Sequence, residues 1–188
     1  MAERLVVVSD MWGSKKGLWI TSYLGYLQQY FDIVFYDSRE LARIDKSITS
    51  ADDLYKAFVD GGMKTAVAHL LARETEPSHY LTFCAGGAIA WDAALKGLPV
   101  KSLYAVSPID LEKNTEALDC KVNLLFGELD KKYPSAQWAA DTDSNMEIVP
   151  NFGHEMYSDE KVIRKVCLDL LESVLNNSIN IKKRPLVS

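Results

Sequence analysis

Residues 80–90 read Tyr80-Leu81-Thr82-Phe83-Cys84-Ala85-Gly86-Gly87-Ala88-Ile89-Ala90. The stretch up to Phe83 is apolar, aromatic and β-branched, which suits a strand. From Ala85 onward the residues are small, which suits a helix lying close against a sheet. Cys84 falls at the junction. A strand that turns sharply into a helix projects its junction side chain at the top of the sheet. It also sets that side chain at a helix N-terminus, where backbone N–H groups and the positive dipole end favour a thiolate and a developing oxyanion. The alternative for a free cysteine is a small buried hydrophobe. Its place at the bend before Ala-Gly-Gly favours a nucleophile.

Outward from this unit, strand-like runs alternate with helical patterns along the whole chain. Strands are expected at Leu5–Ser9, Ile33–Tyr36, Tyr80–Phe83, Val100–Val106, Val122–Phe126 and Met146–Val149. This alternation predicts a parallel sheet covered by helices on both faces. Helices are expected over Gly17–Tyr30, with Trp19, Tyr23, Leu27 and Tyr30 on one face, and from the capping box Ser50-Ala51-Asp52-Asp53 to about Arg73, with a break at Gly61-Gly62. Further helices are expected over Ala85–Lys96, Pro134–Asp141 and about Asp159–Leu175. The last carries Val162, Ile163, Val166, Cys167, Leu170, Leu171, Val174 and Leu175 as a buried stripe. One domain over 1–176 and a polar tail over 177–188 are expected, with no connection after the fourth strand long enough for a large lid.

Composition excludes several function classes. With 188 residues, 48% hydrophobic and 25% charged, the chain can bury one sizeable core. A formal net charge of −5 argues against a nucleic-acid or anionic-membrane partner, because those select for clustered Lys and Arg. A small-molecule partner fits better. Three cysteines, Cys84, Cys120 and Cys167, give no disulfide framework, and the start Met1-Ala2-Glu3-Arg4 is unlike a secretion signal, so a cytoplasmic location is expected. His69, His79 and His154 lack zinc-ligand spacing with the cysteines, and no phosphate-loop or dinucleotide glycine pattern is present. No metal or other cofactor is expected.

Two further motifs follow the elbow: Leu125-Phe126-Gly127-Glu128-Leu129-Asp130, then Asn151-Phe152-Gly153-His154-Glu155. Nucleophile, acid, histidine is the chain order of the α/β-hydrolases, and the cysteine elbow followed by Ala-Gly-Gly is similar to the dienelactone hydrolases. The resemblance covers about Leu5 to Leu175. It implies a sheet in the order 2-1-3-4-5-6 and a triad of Cys84, His154 and Asp130, with Asp110 as a rival acid. It also implies an oxyanion hole from the N–H of Ala85 and one from the loop after the first strand, Met11 being favoured over Trp12. The chain departs from the G-x-S-x-G pattern at Thr82, and Asp10-Met11-Trp12-Gly13-Ser14 replaces the usual His-Gly. Asp10 and Trp12 end the first strand, where pockets of open α/β sheets form, and are expected in the substrate-binding wall.

The implied activity is hydrolysis of small carboxylic esters, thioesters or lactones through an acyl-enzyme. His154 either takes the Cys84 proton during attack or holds a preformed ion pair with it. The alternatives are a non-catalytic binding protein on the same fold, and a thioesterase or acyltransferase. His69, His79, Cys120 and Cys167 are expected to be structural, and Trp19, Trp91 and Trp138 to be packing residues.

Overall fold

The computed structural model describes residues 2–182. Its elements in chain order are β1 (Glu3–Val8), α1 (Ile20–Leu27), β2 (Phe31–Tyr36), α2 (Ser38–Leu41), α3 (Ala51–Ala57), α4 (Met63–Arg73), β3 (Ser78–Phe83), α5 (Ala85–Leu95), β4 (Val100–Val106), β5 (Lys121–Gly127), α6 (Ala136–Asp141), β6 (Ser144–Val149) and α7 (Glu160–Lys182). The six strands form one parallel sheet in the order β2-β1-β3-β4-β5-β6. This is the order that the resemblance implies. Helices cover both faces, α1 packing with α7 and α4 with α5.

Burial follows position in the sheet. Leu5, Val6, Val7 and Val8 of β1, and all of β3, are buried, since a central parallel strand is covered on both faces. Edge strand β6 alternates between exposed and half-buried residues over most of its length. Every expected strand is present. Most are extended by one or two residues at an end, because ladder hydrogen bonds continue past the apolar run that marks a strand in sequence.

The helices differ more. Trp19, Tyr23 and Leu27 pack inward as expected, but α1 is shorter than Gly17–Tyr30. A 3₁₀ turn occupies Gly13–Lys16, and Tyr30 N–H bonds back to Leu27 O at 2.9 Å, which closes the helix and leaves Tyr30 exposed. The helix from Ser50 breaks at the Gly61-Gly62 pair as expected, through a π turn at Phe58–Gly62 with Gly61 at φ 130°. The Ser50 cap is present, its hydroxyl accepting from Asp53 N–H at 3.1 Å. Helix α2, capped by Asp37, was not anticipated. Helix α7 runs past Leu175 to Lys182, as no glycine or proline interrupts it before Pro185, and residues 183–188 of the expected tail lie outside the described residues. Among the described residues no helix is long and apolar enough to cross a membrane.

Candidate active site

Cys84 takes φ 47° and ψ −115° between β3 and α5. A non-glycine residue there is strained by roughly 1–3 kcal/mol. Close packing around the bend holds it. A side chain on Gly86 would collide with the carbonyls of Val8 and Ser9, so glycine lets α5 start directly against the end of β1. Thr82 is accommodated on the other side, fully buried beside β4, its hydroxyl 3.5 Å from Tyr104 O. The elbow therefore takes its clearance after the cysteine, where the usual pattern also takes some before it.

Hydrogen bonding from the Met11 and Ala85 backbone N–H groups favours the Cys84 thiolate. These are the two donors expected for an oxyanion. Burial, and then the nearby Asp10 carboxylate, push the thiol up to about 12 against the pull of those two N–H bonds. The net direction favours the thiol over the thiolate, which the dipole argument from sequence does not anticipate.

His154 lies in the loop after β6, and its Nδ1 is 2.7 Å from Asp130 Oδ2 after β5. The carboxylate is buried and its other oxygen accepts from Lys132 N–H at 3.2 Å. With Nδ1–H donated to Asp130, Nε2 is left as the basic nitrogen. Cys84, Asp130, His154 and Met11 line one cavity of about 360 Å³. His154 shares this wall with Cys84, and no hydrogen bond joins the two. Asp110, the rival acid, is engaged elsewhere, accepting from Tyr55 OH at 2.7 Å and pairing with Lys113 at 2.9 Å.

Asp10 and Trp12 do not line that cavity. The buried Asp10 carboxylate accepts from the N–H of Trp12 and of Gly13, each at 3.1 Å, and from Tyr157 OH at 3.2 Å. It thereby shapes the turn that carries Met11 and ties it to the segment after His154. Burial raises its pKa to about 6. Trp12 is half-buried with Lys16 Nζ 3.6 Å from its ring centroid. Residues missed from sequence are Ala51, Asp52 and Tyr55 of α3, which wall one side of the cavity, with Ile109, Leu129, Lys131 and Lys132. Local patterning marks α3 as a helix but carries nothing about what it stands over.

His69 and His79 serve the scaffold, facing Leu41 O at 2.6 Å and Ser102 Oγ at 2.7 Å. Among the described residues no group of three or more His, Cys, Asp or Glu side chains could hold a metal ion.

No protein-family model matches the chain, and no curated protein does. Solved structures do match. A Klebsiella pneumoniae protein assigned as a dienelactone hydrolase superposes with a TM-score of 0.68 at 16% identity, over 91% of this chain and 85% of that one. Alpha/beta hydrolase domain-containing protein 10 from mouse gives a TM-score of 0.67 at 12% identity, over 92% and 89%. The chain has the α/β-hydrolase fold. A further match is a carboxylesterase structure from the thaumarchaeon Nitrososphaera gargenis, with a TM-score of 0.61 at 12% identity over 94% and 92% of the two chains. Because all six strands of this sheet are parallel, the loops that follow β1, β3, β5 and β6 lie at one end of it. Here those loops carry Met11, Cys84, Asp130 and His154.

Proposed function

We propose that the protein hydrolyses small carboxylic esters, thioesters or lactones, with Cys84 as nucleophile, His154 as general base and acid, and Asp130 as the acid that orients it. The observation that carries this reading is the His154 Nδ1–Asp130 Oδ2 contact of 2.7 Å in the wall of the same cavity that Cys84 and Met11 line. Fold alone does not confer activity. An acyl-transfer centre needs a nucleophile, a base held in the right tautomer and backbone donors aimed at the place of the developing oxyanion.

Burial favours the thiol over a resting ion pair, so in this reading His154 acts as general base during attack. The sulfur leaves the N–H pair and bonds to the acyl carbon as its proton passes to His154 Nε2. The carbonyl oxygen, now an oxyanion, takes the place of the sulfur on Met11 and Ala85 N–H. Collapse breaks the bond to the alcohol, which leaves with the proton from His154. Water then attacks the thioester, gives its proton to His154, and the acid departs as the thiol is restored. A thiolate is itself a good leaving group and is expelled from adducts with poor ones. Activated esters, thioesters and lactones are therefore favoured over amides.

The lack of a Cys84–His154 hydrogen bond, together with the raised thiol, favours a second reading, a binding protein that retains the fold. A panel of short esters, thioesters and lactones with wild type and Cys84→Ala separates the two. Turnover lost in Cys84→Ala is expected; a folded wild type inactive on the whole panel overturns the hydrolase reading.

A further inference from the structure

The Cys84 cavity has a neighbour of about 230 Å³, lined by Phe58, Val59, Met63 and Ala88, and Tyr55 and Ile109 line both. The Tyr55 ring is fixed at its hydroxyl by the 2.7 Å bond to Asp110, itself held by Lys113 at 2.9 Å. Lys132, a wall residue of the Cys84 cavity, places its Nζ 5.1 Å from the centroid of the same ring. Held by both, the ring stands as a partition. Asp110, which chain order offers as a triad acid, instead anchors this wall.

We propose that Tyr55, pinned by Asp110, sets the length of acyl chain that the Cys84 site accepts, and that the chamber behind it is a latent subsite for a longer unbranched chain. The lining fits such a chain, since four apolar side chains and Ile109 line it, while of its polar groups Asp110 is paired with Lys113 at 2.9 Å and Asp92 accepts from Asn114 Nδ2 at 3.4 Å. Val59 is largely exposed, so the chamber is open enough for the end of a long chain to emerge. The proposal rests on the hydrolase reading above and adds to it a determinant of substrate length.

The test compares kcat/KM on p-nitrophenyl esters from acetate to decanoate for wild type, Tyr55→Ala and Asp110→Ala. Burying one methylene is worth roughly fourfold, so the octanoate-to-butyrate ratio is expected to rise on the order of 100-fold in Tyr55→Ala. Asp110→Ala frees the ring without shortening it and gives a smaller rise in the same direction, which keeps the test open where Tyr55→Ala fails to fold. A second readout needs no turnover: the rate at which alkyl methanethiosulfonates of matching length modify Cys84. Length profiles that coincide between wild type and both variants in the two assays overturn the proposal. Absent turnover in every protein, with the length shift still present in thiol modification, overturns the hydrolase reading and leaves Tyr55 as the wall.

Discussion

Gly127 lies so close to the carbonyl of Phe152 that any side chain on it would strike that oxygen. The contact lets the loops after β5 and β6 run side by side. Leu129 N–H donates to Phe152 O at 2.8 Å, Glu128 N–H to Val149 O at 2.9 Å, and the Glu128 carboxylate accepts from Asn151 N–H at 3.0 Å. Asp130 and His154 meet because these backbones do. Gly127→Ala is expected to cost about 1–3 kcal/mol in denaturant unfolding by overpacking. Ester turnover is expected to fall roughly 100-fold as the pair is displaced. Unchanged turnover would show that the pair does not depend on this contact.

Asp130→Asn is expected to leave the fold intact and lower kcat on the order of 10⁴-fold, because the amide no longer holds the ring tautomer that leaves Nε2 basic. Asp110→Asn should be far milder, its partners being Tyr55 and Lys113. Steady-state kinetics on one short ester decide between them, and a larger loss in Asp110→Asn would reassign the acid.

The raised thiol gives a pH signature. With Cys84 pushed up to about 12, the reactive thiolate is scarce at neutral pH and grows tenfold per pH unit well below that value. Iodoacetamide modification of Cys84, followed by mass mapping, should accelerate steadily from about pH 7 to 10 without a plateau. A plateau near neutrality would reveal a preformed ion pair with His154. Burial also raises Cys120 to about 11 and Cys167 to about 12, so resting alkylation alone does not single out Cys84, whereas an acylating ester should.

Asp10 links pH to stability. Its folded pKa of about 6 lies above the ordinary carboxylate value near 3.8, so the folded state prefers the protonated form. Its contribution to stability is full below the lower value and is lost as pH rises through the upper one. Asp10→Asn removes this dependence. Between pH 4 and pH 7 wild type should lose about 2 kcal/mol of stability relative to Asp10→Asn, measured by urea unfolding at both pH values. Parallel behaviour of the two proteins would mean that the carboxylate is not penalised in the fold.

Much of this was legible in sequence because the signals are local. Apolar runs mark strands, Ser50 and Asp53 mark a helix start, and Cys84 before Ala85-Gly86-Gly87 marks the bend. Chain order separated Asp130 from Asp110 only through a motif. In the tertiary structure Asp130 lies beside His154, and Asp110 is held by Tyr55 and Lys113, which supports the proposed choice between them. Asp10 was expected at the substrate and instead accepts from the Trp12 and Gly13 N–H groups and from Tyr157 OH; a strand-end carboxylate reads alike whether it faces a pocket or its own backbone.

By itself, then, the sequence determined the alternation of strands and helices, the parallel sheet and the residue types at the ends of its strands, because propensity, periodicity and capping act over a few neighbouring residues. Only the tertiary structure decided that α3, through Ala51, Asp52 and Tyr55, lines one cavity with Met11 and Cys84, and that burial pushes the Cys84 thiol up. Those depend on burial and on contacts between segments distant along the chain, and neither a solvent-free environment nor a through-space neighbour leaves a mark on local patterning.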